Sequence, residues 1–129
     1  MSTPGAGLAG RVVLVVEDEY LAAAELAREL ERRGATVLGP VPDVRRALGL
    51  LGSTARLDGA LLDIQLRHEH VYPVAEALRA RAVPFVFVSG FDPEFIPEAY
   101  RQVPLCSKPL DLDAIAVALF LKGASPGAP

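Results

Sequence analysis

The chain has 129 residues, of which 51% are hydrophobic and 22% charged, and its formal net charge is −3 at pH 7. This size and composition predict one folded domain and exclude a disordered chain. The acidic balance argues against a nucleic-acid surface, which needs a basic patch, and the longest apolar run, Ala114–Leu121, is too short to span a membrane. A single cysteine, Cys106, and an N-terminus without a secretory signal pattern predict a cytoplasmic protein.

Strand-like and helix-like segments alternate along the chain. Five short apolar runs are predicted to be strands: Arg11–Val16, Ala35–Gly39, Gly59–Leu62, Pro84–Val88 and Leu105–Ser107. Segments with apolar residues at helical spacing are predicted to be helices: Leu21–Arg33, Val44–Leu51, Val71–Arg81, a short helix within 93–100, and one from Asp111 or Asp113 to about Lys122. The Gly-, Ala- and Pro-rich ends, residues 1–10 and 123–129, are predicted to be flexible tails around a domain at 11–122.

The ends of these helices follow known local preferences. Gly34 stands where a helix often ends in a left-handed residue. The carboxylate of Asp43 is suited to cap the second helix. Three prolines between residues 93 and 104 interrupt the segment after the fourth strand, so the fourth helix is predicted to be shortened.

Five alternations of strand and helix predict an α/β fold. Right-handed crossovers place the strands in one parallel sheet with helices on both faces. For five strands we expect the flavodoxin-like (βα)5 arrangement with strand order 2-1-3-4-5. Ligands of such sheets bind at the carboxyl ends of the strands. The polar residues predicted at those ends are Glu17 and Asp18 after the first strand, Asp63 after the third, Ser89 after the fourth and Lys108 after the fifth.

The clustered acids predict a metal ion and a phosphoryl group. Three carboxylates within a few ångströms repel one another, and Mg²⁺, which prefers oxygen ligands and often binds a phosphate, removes this repulsion. A lysine and a hydroxyl facing a metal-bound carboxylate form a cradle for phosphoryl transfer. We therefore predict that Asp63 attacks a phosphoryl donor and becomes an aspartyl-phosphate. The predicted ligands of Mg²⁺ are Glu17, Asp18, Asp63 and the backbone carbonyl of Gln65.

Four short motifs in this order resemble the receiver domains of bacterial two-component response regulators, the CheY-like family. They are LVVEDE with the acidic pair, LLDIQL with Asp63, VFVSG with Ser89, and SKP with Lys108. The resemblance covers residues 11–121. It implies Mg²⁺-dependent phosphorylation of Asp63 by a histidine kinase or a phosphotransfer protein. It implies no enzymatic activity beyond self-phosphorylation and autodephosphorylation.

The same resemblance assigns roles around the acceptor. Ser89, followed by Gly90, is the switch hydroxyl that moves toward the phosphoryl group, and Lys108 faces that group. The bond between Lys108 and Pro109 is often cis in this family. No DNA-binding or catalytic segment follows residue 121, which predicts a stand-alone regulator, a monomer or weak dimer, that signals through an unidentified protein partner.

Three departures from the family pattern affect this prediction. Within the stretch RHEHVYPVAE after Asp63, the loop before the predicted third helix lacks the Pro and Gly usual in this family, and the interval from Ser89 to Lys108 is short and contains prolines. Most receivers carry Tyr or Phe three residues before the lysine, where this chain has Leu105, so the usual aromatic switch cannot operate there. The stretch PFVFVSGF resembles the stand-alone alphaproteobacterial subgroup with a Phe-x-Thr-Gly-aromatic motif (FAT GUY-type), in which Phe91 takes over part of the aromatic role.

Two other classes of function are left open by the sequence. A Mg²⁺-dependent phosphatase of the haloacid-dehalogenase type also uses an aspartate nucleophile, but needs an acid two residues later, where this chain has Gln65. A degenerate receiver could act only as an interaction scaffold. Within the receiver class, the sequence does not separate an effector from a phosphate sink.

The other polar residues near these motifs have ordinary structural interpretations. Glu19 is expected in the first turn of the first helix, where the dipole favours an acid. Tyr20 and Tyr72 are expected to pack with hydrated hydroxyl groups. His68 and His70 are expected to be solvated loop residues, since a transition-metal site needs further ligands.

Overall fold

The structure, a computed structural model, describes residues 7–90 and 96–121. Five strands form one parallel sheet with the order β2-β1-β3-β4-β5, which confirms the predicted fold class. The strands are β1 (Val12–Val16), β2 (Thr36–Val41), β3 (Gly59–Asp63), β4 (Phe85–Ser89) and β5 (Leu105–Ser107). Each lies within two residues of its predicted bounds.

Helices cover both faces of the sheet. They are α1 (Tyr20–Arg32), α2 (Val44–Ser53), α3 (Tyr72–Ala80) and α4 (Leu112–Ala116), which continues as a π-helical segment, Val117–Leu121. Asp43 caps α2 as predicted, by accepting from the Arg46 N–H. Gly34 has the expected positive φ of 91° just beyond α1. Glu19 is the cap of α1 and not a residue of its first turn, because its carboxylate accepts from the Ala22 N–H at 2.9 Å.

Two apolar cores, one on each face, hold the sheet between its helices. Alternate residues of the central strands point to opposite faces, so that Leu14 and Leu62 join one core while Val13 and Leu61 join the other. The first core contains the buried faces of α2 and α3, and the second contains those of α1 and α4. No helix in the described ranges is long and apolar enough to cross a membrane.

The N-terminal segment differs from the sequence prediction, and the segment between β4 and β5 refines it. Residues 7–10 form a turn that packs onto the domain, although their composition predicts a tail, because the apolar side chain of Leu8 is fully buried in the second core. Between β4 and β5, the described residues contain a single 3₁₀ turn, Glu98–Tyr100, where a shortened fourth helix is predicted. Phe91 lies outside the described residues, as does the predicted C-terminal tail 123–129.

Candidate functional site

The two central strands bring two acids to the same level of the sheet. Val16 of β1 pairs with Leu62 of β3, so the residues that follow, Glu17 and Asp63, stand side by side at the carboxyl edge. Glu17 is only 5% exposed and Asp63 only 9%. The register of the sheet therefore places two carboxylates in a mostly buried position.

Asp18 completes an acidic cluster. One carboxylate oxygen from each of Glu17, Asp18 and Asp63 lies within 4.8 Å of the other two. An octahedral Mg²⁺ with oxygens at about 2.1 Å places neighbouring ligands about 3 Å apart and opposite ligands about 4 Å apart. The all-oxygen donor set therefore suits a small hard cation, and the 4.8 Å limit lies within about 1 Å of the largest ligand separation in such an octahedron.

The chain after Asp63 folds back as a short β-hairpin, in which Gln65 pairs with His70. The flanking backbone hydrogen bonds run from Leu66 N–H to Glu69 O at 2.9 Å and from Val71 N–H to Ile64 O at 3.0 Å. In this antiparallel pattern the N–H and C=O of Gln65 both face away from His70. The Gln65 N–H donates to Oδ1 of Asp63 at 3.2 Å. The Gln65 carbonyl therefore lies on the same side of the hairpin as this N–H, and its role as a metal ligand stays a prediction.

Lys108 supplies a positive charge to the cluster. Its Nζ lies 2.6 Å from Oε1 of Glu17 and 3.4 Å from Oδ2 of Asp63. The second oxygen of Glu17 accepts from the Glu19 N–H at 3.0 Å. Both carboxylates are thus held in defined orientations, and Lys108 is directed into the acidic cluster.

The ends of β4 and β5 place the other predicted residues around Lys108. The Lys108 N–H donates to the carbonyl of Ser89 at 3.0 Å, and the Lys108–Pro109 bond is cis, as the resemblance implies. A Cβ built on Gly90 would lie 3.9 Å from Cδ of Lys108, an ordinary contact, so sterics do not require glycine there. Leu105, three residues before the lysine, is 38% exposed on β5.

Burial and neighbouring charges shift the pKa values of Asp63 and Glu17 in opposite directions. Burial, together with the hydrogen bond and negative charge of Glu17, raises the pKa of Asp63 to about 7. Burial also opposes ionisation of Glu17, but hydrogen bonds from Lys108 and the Glu19 N–H outweigh it, and the pKa of Glu17 is lowered. For Lys108, burial is outweighed by the two carboxylates, and its pKa is raised. A cation at the cluster would favour the ionised form of Asp63.

The structure adds an aromatic cluster that the sequence analysis missed, defined here as His70, Tyr72, Phe87 and Tyr100. Tyr72 stacks on His70 at 5.7 Å and on Tyr100 at 5.2 Å, and Phe87 packs edge-on against both tyrosines at 5.9 Å. The Tyr100 hydroxyl donates to Glu76, and burial with this carboxylate raises the pKa of Tyr100 to about 12. The cluster joins α3 to the 3₁₀ turn between β4 and β5.

Two smaller expectations change, and one contact was not expected at all. Tyr20 is 81% exposed, so the expectation that it packs is wrong. The Tyr72 hydroxyl is buried and has no hydrogen-bond partner in the described part of the chain, so the expectation that it is exposed to solvent is wrong. Glu69, which carried no signal in the sequence, accepts from the N–H of Val44, 25 residues away. Local sequence patterns report on neighbours in the chain and do not reveal such a pairing.

Comparisons with known proteins agree with this fold and site. Neither a protein-family model nor a curated protein matches the sequence. Among solved structures, SdrG from Sphingomonas melonis Fr1 is 40% identical, with a TM-score of 0.73 over 84% of this chain and 92% of that one. The BeF3-activated conformation of SdrG, from Pseudomonas melonis Fr1, is 38% identical, with a TM-score of 0.69 over 92% and 96% of the two chains.

Two further structures name the class. A Burkholderia pseudomallei response regulator with a phosphorylated aspartic acid, calcium ion and citrate is 25% identical, with a TM-score of 0.71 over 84% of this chain and 66% of that one. A CheY-like receiver domain from Methylobacillus flagellatus is 26% identical, with a TM-score of 0.68 over 81% and 92%. The chain belongs to the CheY-like receiver domains of response regulators. It is therefore a signalling domain of the two-component class rather than a metabolic enzyme.

Proposed function

We propose that this receiver accepts a phosphoryl group on Asp63 from a histidine kinase or a phosphotransfer protein, in a reaction that requires Mg²⁺. The observation that carries the proposal is the convergence of three carboxylates within 4.8 Å, with Lys108 directed into them. The phosphorylated aspartic acid and calcium ion of the Burkholderia relative support the same chemistry here.

The side chains present divide the work of the transfer. A carboxylate oxygen of Asp63 forms a bond to phosphorus as the bond from phosphorus to the donor's nitrogen or oxygen breaks, and the leaving group keeps the electron pair. The Gln65 N–H fixes the orientation of the Asp63 carboxylate. Lys108 neutralises charge on the incoming phosphoryl oxygens. Glu17, Asp18, Asp63 and the Gln65 carbonyl would hold Mg²⁺, which would supply the remaining positive charge.

Conformational signalling is the second part of the proposal. Ser89 ends β4 beside Lys108, and we propose that its hydroxyl moves toward the phosphoryl group, with Gly90 and Pro109 next to it in the chain at this edge. An aliphatic Leu105 cannot act as an aromatic switch. Membership of the Phe-x-Thr-Gly-aromatic subgroup, with a role for Phe91, is proposed on the sequence motif alone.

The output of this receiver is proposed to be a protein contact. A cytoplasmic monomer or weak dimer would bind a downstream partner when phosphorylated, or would act as a phosphate sink. The phosphoryl lifetime and the rate of back-transfer to a phosphotransfer protein distinguish these two roles. A long lifetime with slow back-transfer indicates an effector.

The phosphatase alternative is less well supported. Its mechanism needs an acid two residues after the nucleophile to protonate the leaving group. Gln65 occupies that position, and its side-chain amide donates to the Leu66 carbonyl at 2.9 Å. Turnover of phosphate esters would favour the phosphatase, and failure to bind Mg²⁺ would favour the scaffold.

The test is incubation of the protein with Mg²⁺ and acetyl phosphate, followed by intact-mass measurement. We expect one acid-labile phosphoryl group, which is lost in Asp63→Asn and when Mg²⁺ is chelated. Asp113→Asn is the matched control, because it neutralises an exposed acid on α4 outside the acidic cluster. A wild-type chain that gains no phosphoryl group from acetyl phosphate, from a histidine kinase or from a phosphotransfer protein would refute the proposal.

A further inference from the structure

The hairpin that carries Gln65 is tied to a neighbouring helix by one side chain. Oε2 of Glu69 accepts a hydrogen bond from the N–H of Val44 at 2.9 Å, at the first residue of α2. Within the described ranges, no other hydrogen bond joins residues 66–69, the hairpin tip, to another element. Glu69 therefore links the hairpin tip to the start of α2, and residues of both line one pocket together with Asp18.

Packing holds only part of the hairpin tip. Leu66 is buried in the first core, but Arg67 and His68 at the turn are exposed. An open pocket of about 270 Å³ separates the tip from Asp18, and Glu69 and Asp43 also line it. Because the tip faces open space on this side, the Glu69 hydrogen bond restrains it where close packing does not.

The position of the hairpin sets the position of the Gln65 carbonyl. The bonds on either side of Gln65, from Leu66 to Glu69 and from Val71 to Ile64, fix the register in which its carbonyl and N–H both point away from His70. Metal ligands need placement within about 0.5 Å, and residues behind the ligands usually provide it. A tip released from α2 would let this backbone segment shift.

We propose that Glu69 is a positioning residue of the metal site, which holds the Gln65 carbonyl toward the cation by anchoring the hairpin tip to α2. The inference rests on the proposed function, since it assumes that the acidic cluster binds Mg²⁺ with this carbonyl as a ligand. Glu69 itself is not assigned as a ligand. Its role depends on an acceptor oxygen at that point and not on its negative charge.

Four single substitutions separate positioning from charge and from helix stability. Glu69→Ala removes the acceptor, whereas Glu69→Gln keeps an acceptor oxygen and removes the charge. Val44→Pro removes the donor N–H and leaves the charge of Glu69; proline is tolerated at the first position of a helix, and Asp43 is already extended, as a residue before proline should be. Asp43→Ala removes the other cap of the same helix without touching the hairpin bond.

The measurements are Mg²⁺ titration by calorimetry and the rate of acetyl phosphate labelling as a function of Mg²⁺ concentration. Glu69→Ala and Val44→Pro should each weaken Mg²⁺ binding by about 3- to 10-fold, while the labelling rate at saturating Mg²⁺ stays within about twofold of wild type. Glu69→Gln and Asp43→Ala should bind Mg²⁺ within about twofold of wild type. Thermal unfolding verifies that each variant is folded.

Several outcomes overturn the inference. If Glu69→Gln weakens Mg²⁺ binding as much as Glu69→Ala does, the effect is one of charge. If Asp43→Ala weakens it equally, the effect is one of α2 stability. If Glu69→Ala and Val44→Pro both bind Mg²⁺ with wild-type affinity, Glu69 is not a positioning residue of the metal site. A wild-type chain that binds no Mg²⁺ contradicts the proposed function itself, which is a separate result.

Discussion

The ammonium of Lys108 lies 2.6 Å from Oε1 of Glu17, closer than the 3.4 Å that separates it from Oδ2 of Asp63. The lysine therefore lies closer to Glu17, a proposed metal ligand, than to Asp63, the proposed acceptor. A cation and Lys108 compete for the charge of the same carboxylates, but both would favour an incoming phosphoryl group. Removing the lysine should thus change the affinity for the cation and the affinity for a phosphoryl group in opposite directions.

Lys108→Met should tighten Mg²⁺ binding and weaken the binding of a phosphoryl mimic. With no ammonium at the cluster, the carboxylates attract the cation more strongly, and we expect an increase of about 3- to 10-fold in Mg²⁺ affinity. Beryllofluoride binding in the presence of Mg²⁺ should fall by at least about tenfold, since a charge-assisted contact is lost. Calorimetry measures both affinities.

Arg32→Met is the control for this pair of measurements. Arg32 lines the same groove between α1 and Lys108, but its guanidinium pairs with Glu29 and not with the acidic cluster. Arg32→Met should leave the affinities for Mg²⁺ and beryllofluoride within about twofold of wild type. Parallel weakening of both ligands in Lys108→Met would mean that the lysine supports the structure of the site instead of competing for its charge.

Mg²⁺ binding should depend on pH through Asp63. The pKa of this carboxyl is raised to about 7 by burial and by Glu17, and a cation binds only the ionised form. Below pH 7 the apparent Mg²⁺ affinity should fall by up to about tenfold per pH unit, and above pH 8 it should be nearly constant. Affinity that is constant from pH 5 to pH 8 would contradict a raised pKa at Asp63.

The same pKa predicts that Asp63 destabilises the protein above neutral pH when no Mg²⁺ is added. The ordinary pKa is 3.8 and the folded value about 7, so between them the folded state binds more protons and stability falls as pH rises. Since one pKa unit corresponds to about 1.4 kcal/mol, Asp63→Asn should stabilise the protein by about 1–3 kcal/mol at pH 8. The gain should be smaller at pH 5. Urea unfolding at the two pH values measures it, and an equal gain at both would contradict the assignment.

The sequence predicted the part of the site that the strands alone determine. In a parallel sheet, the residue after each strand reaches the same edge, so Glu17, Asp63 and Lys108 could be brought together from strand ends and strand order. Ser89 was placed at this edge in the same way, and the family resemblance added its role as the switch hydroxyl. This placement required no knowledge of contacts between distant residues. In the structure, the register of the paired strands brings these residues to the same edge.

The rest depends on contacts between residues far apart in the chain. Glu69 meets Val44 only because the hairpin folds back over α2, and the stacking of Tyr72 on Tyr100 needs the 3₁₀ turn in place. Leu8 is buried in a stretch whose Gly and Ala content predicts a tail. Composition and helical or strand periodicity describe local preferences, and they do not report which distant residue fills a space.

A glycine in the central strand packs closely against the ring of Phe120. A Cβ built on Gly59 would lie 2.7 Å from Cζ of Phe120, so Gly59→Ala should destabilise the domain by about 1–3 kcal/mol. Phe120→Leu should recover part of this loss in the double variant. Gly49→Ala is the control: Gly49 lies within α2 with open space around it, and alanine there should stabilise by about 0.5–1 kcal/mol. Equal effects of the two alanine variants in urea unfolding would contradict this packing.

The two stacked tyrosines should respond oppositely to the same substitution. Tyr100→Phe removes a hydroxyl that donates to Glu76, and should destabilise the domain by about 1 kcal/mol. Tyr72→Phe removes a buried hydroxyl without a partner in the described residues, and should be neutral or stabilise by about 1 kcal/mol. Because both variants keep the ring stacking, urea unfolding measures the contribution of each hydroxyl group to the free energy of unfolding. If Tyr72→Phe lowers the free energy of unfolding as much as Tyr100→Phe does, the Tyr72 hydroxyl has a hydrogen-bond partner in solution. The aromatic cluster would then be held by a second polar contact besides the one to Glu76.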